Sequence, residues 1–273
     1  MSAAAPTVRC VAESRKQQGE ASRPHALDIY ERVCKDTAEE LSRPQGSLFY
    51  SALFAGLTIG LAPLVVALIT LSLGEDVKST AFIATLFYPI GYIAVIIGRS
   101  QFFTENTLYP VMLTLRRWEY LNRSMRLWVI VLVMNLVGAF IFAALAMWSG
   151  ALEEPVKDQL VKYGSAYTEG DLGNQFSSAV ATGFLLALIA WLVEACDTAT
   201  GRIAVIWSLA FLVGLGSFDH CIAATVTVYT ALFDGALSLG DSLAWFAPVL
   251  AGNIVGGVAI VAAINYGQVR EED

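Results

Sequence analysis

The sequence predicts an all-α membrane protein of six transmembrane helices, built as an inverted 3+3 repeat with broken second and fifth helices. Three observations predict this fold class: an apolar composition, a series of long uncharged runs, and a motif that occurs twice. Of the 273 residues, 56% are hydrophobic and 15% are charged, and the mean hydropathy is +0.60. Because a soluble domain carries about 25% charged residues, this composition favours a chain that lies mostly in lipid, and not a water-soluble enzyme.

The net charge and the cysteines exclude other classes of protein. The formal net charge is −7, with 17 Lys and Arg against 24 Asp and Glu, which argues against an electrostatic nucleic-acid binder. The sequence shows no phosphate-binding glycine loop, metal cluster or nucleophile–base pair, so we expect no catalytic residue, metal or cofactor. Four cysteines lie in no paired or metal-type spacing, and we interpret them as free thiols: Cys10, Cys34, Cys196 and Cys221.

The first 47 residues are polar and precede the membrane domain. Residues 1–22 are rich in Ala, Ser, Gln and Glu, and we expect them to be disordered. The following segment predicts an amphipathic cytoplasmic helix over about 27–42, which ends before Arg43 and Pro44. The apolar residues that recur at helical spacing in this segment are Leu27, Tyr30, Cys34 and Leu41.

The transmembrane channel domain is predicted over 48–269, with a short cytoplasmic tail at 270–273. Five uncharged runs each reach the length of about 20 residues that is needed to cross the hydrocarbon. These runs are 48–73, 79–98, 127–152, 172–193 and 242–269.

Two of the six crossings are interrupted by ionisable residues. The second crossing stops at Arg99, and a short apolar run resumes after Glu105. The fifth crossing stops at Asp219 and His220, and apolar sequence resumes at Cys221.

The basic residues predict the orientation in the membrane. With six crossings both termini share one side, and 13 of the 17 Lys and Arg residues fall on that side against three on the other. The positive-inside rule therefore predicts cytoplasmic termini for a multi-pass protein of the inner membrane.

The motif Asn-x-x-Gly occurs at Asn135 in the third crossing and at Asn253 in the sixth, 118 residues apart. A broken crossing lies upstream of each copy. Because each repeat holds three crossings, an odd number, the two halves must be inverted in the membrane. Such repeats with broken helices are typical of transport proteins, whose substrate site lies near the midplane. The alternative is that the motif reflects small-residue helix packing alone.

The breaks mark the candidate site because they coincide with ionisable residues. Non-helical backbone survives in the membrane only inside protein or beside a cavity. A charge at the centre of the membrane costs at least about 2.5–3.5 kcal/mol, so such residues are functional candidates.

Taken together, these features resemble the formate/nitrite transporter family over residues 28–268. The resemblance rests on six crossings, the break at Phe102-Phe103-Thr104, the break at Phe218-Asp219-His220, and Asn-x-x-Gly in the third and sixth crossings. Arg43-Pro44 and the segment 98–107 resemble the divergent YfdC-like branch of that family.

The resemblance implies an aquaporin-like bundle, a homopentamer in the lipid bilayer, and one pore in each protomer. It implies passage of a small monovalent anion such as formate or nitrite, or of its conjugate weak acid. The passage is expected to be passive or proton-linked, because a neutral weak acid avoids the cost of bringing an anion into an apolar slit.

The resemblance assigns the central pore histidine to His220, although a buried histidine satisfied by backbone is the alternative. Phe102 and Phe103 are expected at a constriction, with core packing as the alternative, and Thr104 offers a hydroxyl to the substrate or to His220. By counting from the breaks, further candidates along the pathway are Tyr92, Val213 and Asp219.

Four residues are expected to have structural roles at the breaks. Asn135 and Asn253 are expected to satisfy broken backbone. Thr182 stands near the place of a family asparagine that holds the histidine. For Arg99 we favour an ion pair with Glu105 or Asp219 over a role in attracting anions.

Glu105 departs from the family pattern, because the anion-passing members carry a small neutral residue there. The connection 153–171 is also net acidic, with Lys157 and Lys162 as its only basic residues. An ionised carboxylate in the path repels an anion. Two other functions therefore stay open: a neutral-solute or cation-selective pore, and a non-conducting membrane scaffold.

Overall fold

The computed structural model describes residues 24–75, 77 and 79–272. The expectation for residues 1–22, and Cys10 with it, lies outside this part of the chain. Thirteen α-helices are present in the described residues, with no strand among them. They are α1 (Ala26–Ser42), α2 (Gln45–Thr58), α3 (Leu61–Leu73), α4 (Thr80–Thr85), α5 (Ile90–Ile97), α6 (Tyr109–Arg116), α7 (Leu121–Trp148), α8 (Glu154–Thr168), α9 (Leu172–Glu194), α10 (Ala199–Leu215), α11 (Ala223–Asp234), α12 (Leu239–Val255) and α13 (Ala263–Glu272).

Five helical stretches among the described residues are long and apolar enough to cross a membrane. The fifth predicted crossing is divided between α10 and α11, and α10 is a shorter apolar helix of 17 residues. The exact count of six crossings therefore stays a prediction. The five long stretches are Gln45–Leu73, Thr80–Ile97, Trp118–Trp148, Leu172–Glu194 and Leu239–Arg270.

The two ends of the bundle are distinguished by α1 and α8. Helix α1 lies across one end and packs against α6 and α13, and Arg116 lies over the Tyr30 ring with Cζ 5.7 Å from its centroid. We call this end the terminal face. Helix α8 lies at the opposite end, the far face, where Lys162 Nζ is 2.7 Å from Glu75 Oε2. The turn at Arg99 contacts Asp36 of α1 at the terminal face, whereas Ser217, 118 residues later, lines a cavity together with Glu75 and Lys162 of the far face. The two halves of the bundle therefore have opposite orientations, as the inverted repeat predicts.

The two helix breaks have the same geometry. Helices α5 and α10 each end in a turn whose next residue adopts positive φ, Arg99 at 52° and Ser217 at 49°. In each turn a backbone N–H then donates to the carbonyl five residues earlier, from Ser100 to Val95 at 3.1 Å and from Phe218 to Val213 at 3.0 Å. This is a Schellman termination, which commonly places glycine at the left-handed position. The equivalent residues are 118 apart, so the repeat of the sequence is present in the backbone.

Asn135 holds the first break. Its Oδ1 accepts the backbone N–H of Phe103 at 2.9 Å, and its Nδ2 donates to the carbonyls of Gln101 and Ala52 at 3.0 and 2.8 Å. One side chain thus satisfies both a donor and an acceptor of the broken segment. It also ties that segment to the first crossing.

Asn253 makes the equivalent contacts at the second break. Its Oδ1 accepts the backbone N–H of Cys221 at 2.9 Å, and its Nδ2 donates to the carbonyls of Asp219 and Ala179 at 3.1 and 2.8 Å. The same set of side-chain hydrogen bonds therefore holds both breaks, one in each half of the inverted repeat.

Close helix packing accompanies these contacts. Gly56 on α2 lies directly against the backbone carbonyl of Asn135, and Gly183 on α9 lies directly against that of Asn253. A β-carbon at either glycine would overlap that carbonyl oxygen. Small residues at such crossings let helix backbones approach closely in a membrane. The Asn-x-x-Gly motif therefore serves helix packing as well as the breaks.

We predict that Gly183→Ala destabilises the bundle, because its methyl group would meet backbone that cannot move aside. Overpacking costs about 1–3 kcal/mol or more, so the melting temperature in detergent should fall by about 5 °C or more. Gly46→Ala is the matched control, since no atom lies within 4 Å of its β-carbon position. Equal melting temperatures for the two variants would contradict the packing described.

Candidate functional site

The described residues line two deep cavities that enter the bundle from opposite ends. The far-face cavity has a volume of about 690 Å³, and its wall includes Tyr88, Tyr167, Ser178, Val213 and Asp219. The terminal-face cavity has a volume of about 90 Å³, and α1 covers it. Its wall includes Phe102, Glu105, Tyr109 and Glu194 from the bundle, with Asp36 and Glu40 from α1.

A buried cluster of four side chains separates the two cavities, and we call it the barrier: Tyr92, Phe102, Thr104 and His220. The Phe102 ring stacks on the His220 imidazole with centroids 5.3 Å apart. Tyr92 packs edge-on against the same imidazole at 5.8 Å. Phe102 faces the terminal-face cavity, and the Tyr92 hydroxyl lies 2.9 Å from that of Tyr88 in the far-face wall. The barrier therefore lies between the walls of the two cavities.

The second break fixes the imidazole of His220. Its Nδ1 accepts the backbone N–H groups of Ile222 and Ala223, both at 2.9 Å. These amides precede the first turn of α11, where backbone donors lack a helical partner. A nitrogen that accepts two hydrogen bonds carries no proton, so the neutral ring carries its proton on Nε2.

The other ring nitrogen meets the first break. His220 Nε2 lies 3.2 Å from Thr104 Oγ1. With the proton on Nε2, the imidazole donates to the threonine oxygen. The hydroxyl proton of Thr104 then points away from the imidazole.

Phe103 does not join Phe102 in the barrier. Its ring packs edge-on against Trp128 with centroids 5.8 Å apart, while its backbone N–H is held by Asn135. Neighbouring residues in non-helical chain project to different sides, so only one of the two phenylalanines reaches the imidazole. Both phenylalanines were expected to form the constriction, but only Phe102 contacts His220, and Phe103 packs against Trp128.

Thr182 does not hold the histidine either. Its hydroxyl donates to the carbonyl of Ser178 in its own helix at 3.4 Å, and the ring nitrogens of His220 are engaged by Ile222, Ala223 and Thr104. Backbone amides of the second break supply the contact that was expected from this side chain.

Arg99 points out of the bundle. Its side chain is 73% exposed, and Nη2 lies 2.9 Å from Asp36 Oδ2 on α1. The left-handed turn at this residue directs the guanidinium towards the terminal face. The expected ion pair with Glu105 or Asp219 is therefore wrong, since Arg99 pairs with α1.

Two buried carboxyl groups flank the barrier, one in each cavity. Glu105 is 8% exposed, and its carboxyl group forms no hydrogen bond or ion pair within the described part of the chain. Asp219 is 7% exposed, accepts from Trp245 Nε1 at 2.9 Å, and its backbone N–H donates to Ser178 Oγ at 2.9 Å. A carboxylate at either position repels an approaching anion.

Two basic residues of the far face, Lys157 and Lys162, are paired with carboxylates. Lys162 lies 2.7 Å from Glu75 and its hydrogen bond lowers the pKa of that carboxyl, while Lys157 pairs with Glu154 at 2.7 Å. Neither lysine is left as an unpaired charge at the entrance. Within the described residues no cluster of three or more metal-ligating side chains is present.

Sequence reasoning missed Tyr88 and Glu194. Tyr88 lies one helical turn before Tyr92, so the i, i+4 spacing was a usable signal. Glu194 directly follows the uncharged run 172–193 of the fourth crossing, and no local spacing marks it as part of the site. Its proximity to Tyr109, whose hydroxyl donates to Glu194 Oε1 at 3.4 Å, depends on helix packing that the sequence does not reveal.

Comparisons with known proteins match most of the chain. The family model described as formate/nitrite transporter matches residues 27–267. The inner membrane protein YfdC of Escherichia coli (strain K12) is 32% identical over 250 residues, which cover 90% of this chain and 80% of that protein.

Two solved structures share the fold. A chain described as an FNT family ion channel gives a TM-score of 0.78 at 17% identity, covering 88% of this chain and 98% of that chain. A pentameric formate channel with formate bound gives a TM-score of 0.70 at 19% identity, covering 83% and 98%. The predicted fold class, an all-α membrane channel fold, is confirmed.

We predict that His220 carries its proton on Nε2. In nitrogen NMR spectra of histidine-labelled protein, Nδ1 should show the shift of an unprotonated ring nitrogen and Nε2 that of a protonated one. Since the chain has two histidines, the variant His25→Asn has His220 as its only histidine, and its spectrum identifies the signals of that residue. A protonated Nδ1 would contradict the hydrogen bonds from Ile222 and Ala223.

Proposed function

We propose that this chain, which belongs to the formate/nitrite transporter family, passes a small monovalent anion across the membrane together with a proton, as the neutral weak acid. The observation that carries the proposal is the buried barrier of Tyr92, Phe102, Thr104 and His220. It combines aromatic rings with the hydroxyl groups of Tyr92 and Thr104 and an imidazole held by backbone amides.

The chain is a multi-pass membrane protein of a channel and transporter family, and its members are not enzymes. What the family model leaves open is the permeant, its protonation state and the role of each residue.

The energetics favour a neutral permeant. Moving an isolated carboxylate from water into an apolar environment costs tens of kcal/mol, whereas a neutral acid loses only its hydrogen bonds to water. The Thr104 hydroxyl replaces one of those hydrogen bonds within the barrier. His220 supports this by donating to the threonine oxygen, which leaves the hydroxyl proton for the solute.

We further propose that the protein is a homopentamer of the inner membrane with cytoplasmic termini and one pore in each protomer. The likeness to a pentameric formate channel supports the assembly. The excess of basic residues on the side of the termini supports the orientation. In this arrangement the terminal face meets the cytoplasm.

A second function is favoured by one observation. Glu105 and Asp219 place a carboxyl group in each cavity, and ionised carboxylates would select for a cation or a neutral solute over an anion. Flux of ammonium or glycerol in place of a weak acid would support this alternative. If no solute crossed the membrane in this assay, the result would support a non-conducting scaffold.

We predict that removing the Thr104 hydroxyl slows weak-acid flux. In proteoliposomes, Thr104→Val should lower the rate of labelled formate or nitrite entry by about tenfold, the effect of losing one hydrogen bond in the barrier, and Thr104→Ser should restore most of it. Thr230→Val is the matched control, because the buried Thr230 hydroxyl donates only to Thr227 of its own helix. Equal rates for Thr104→Val and Thr230→Val would contradict the proposed contact.

A further inference from the structure

The terminal-face cavity holds a carboxyl group that the proposed function has not used. Glu105 follows Thr104 directly in the chain, lines the cavity wall and is almost fully buried. Its oxygens have no hydrogen-bond partner among the described residues. A side chain placed in this way, one residue from the barrier, meets any solute that arrives from the terminal face.

Six charged or titratable groups line the cavity around Glu105, and they come from five of the surrounding elements. The π-helical segment Gly256–Ala262, which packs against the same turn, contributes none. The groups are Asp36 and Glu40 of α1, Arg99 of the break, Tyr109 of α6, Glu194 of α9 and Arg202 of α10.

The two cations of the cavity are engaged away from Glu105. Arg99 pairs with Asp36 at 2.9 Å, and Arg202 Nε donates to the carbonyl of Cys196 at 3.1 Å. Glu194 lies close enough for its charge to act on Glu105. A buried carboxyl group with no cation and a neighbouring carboxylate is more stable as the neutral acid than as the anion. These surroundings favour the protonated form of the Glu105 carboxyl group.

A proton source is needed at this position. A simple carboxylic acid has a pKa of about 4 and is almost entirely ionised at neutral pH. The permeant anion must therefore gain a proton before it enters the barrier. His220 is a poor source, because its proton is bound between Nε2 and Thr104 while its Nδ1 accepts two amides.

We propose that Glu105 is the proton-exchange residue at the terminal-face end of the pore, acting on small carboxylates and similar weak-acid anions. The O–H bond of the Glu105 carboxyl group breaks, and the proton forms a new O–H bond on the permeant anion. The neutral acid then crosses the barrier, and the Glu105 carboxylate takes a proton from hydronium in the cavity. Movement in the opposite direction reverses each step. This inference rests on the proposed function.

The test compares wild type with Glu105→Gln, Glu105→Asp and the matched control Glu119→Gln in proteoliposomes. Glu119 is an exposed residue of the terminal face, 3.7 Å from Arg117. Labelled formate entry and internal pH are measured together over a range of external pH. Wild type and Glu119→Gln should move one proton with each formate.

Glu105→Gln should lower formate entry at neutral pH by about a hundredfold, the lower end of the range for loss of a general acid, and Glu105→Asp should recover part of it. Acidification should restore the Glu105→Gln rate, because the bulk solution then supplies neutral acid. A structural defect would lower the rate equally at every pH.

A second measurement does not depend on flux. Infrared difference spectra between high and low pH should show a carbonyl stretch of a protonated carboxyl group that is present in wild type and absent from Glu105→Gln once the bands common to both proteins are subtracted. The inference is overturned if this subtraction leaves no carboxyl band or if Glu105→Gln matches wild type in formate entry at every pH. A wild-type protein that moves no weak acid at all would instead overturn the proposed function, and this inference with it.

Discussion

The structure depends on one constraint: every backbone N–H and C=O group at a helix break inside a membrane needs a partner from within the protein. Asn135 and Asn253 meet this constraint with the same three hydrogen bonds, one accepted and two donated, in halves that run in opposite directions. Without these amides, two non-helical segments would expose unsatisfied backbone at the centre of the bundle, at a cost of several kcal/mol for each group.

The matching hydrogen bonds of Asn135 and Asn253 explain how two equivalent breaks form an asymmetric site. Phe102 and His220 are equivalent positions, 118 residues apart, and each precedes the backbone N–H that its asparagine accepts. The repeat therefore brings the two side chains together as a stack of a phenyl ring on an imidazole. Thr104 adds a hydroxyl from the first break only. A barrier that is apolar on one side and hydrogen-bonding on the other follows from this difference between the two repeats.

The sequence predicted the long-range order of the fold well, because hydrophobic runs, charge interruptions and the repeated motif are local signals of membrane crossing and helix breakage. It predicted less about side-chain direction. Phe103 turns to Trp128, Thr182 bonds its own helix and Arg99 reaches α1, since each direction depends on how a non-helical turn is held by another helix. Glu194 was missed for a related reason, because its contact with Tyr109 joins two different helices and leaves no spacing in the sequence.

The central claim is that the permeant crosses the barrier without net charge. The most direct measurement is the rate of labelled formate entry into proteoliposomes whose membrane potential is set by a potassium gradient and an ionophore. An anion that crosses the full potential gains or loses about 2.3 kcal/mol for each 100 mV, whereas a neutral acid is unaffected. The account predicts equal rates at zero and at inside-negative potential. A rate that falls steeply as the interior becomes negative would contradict it.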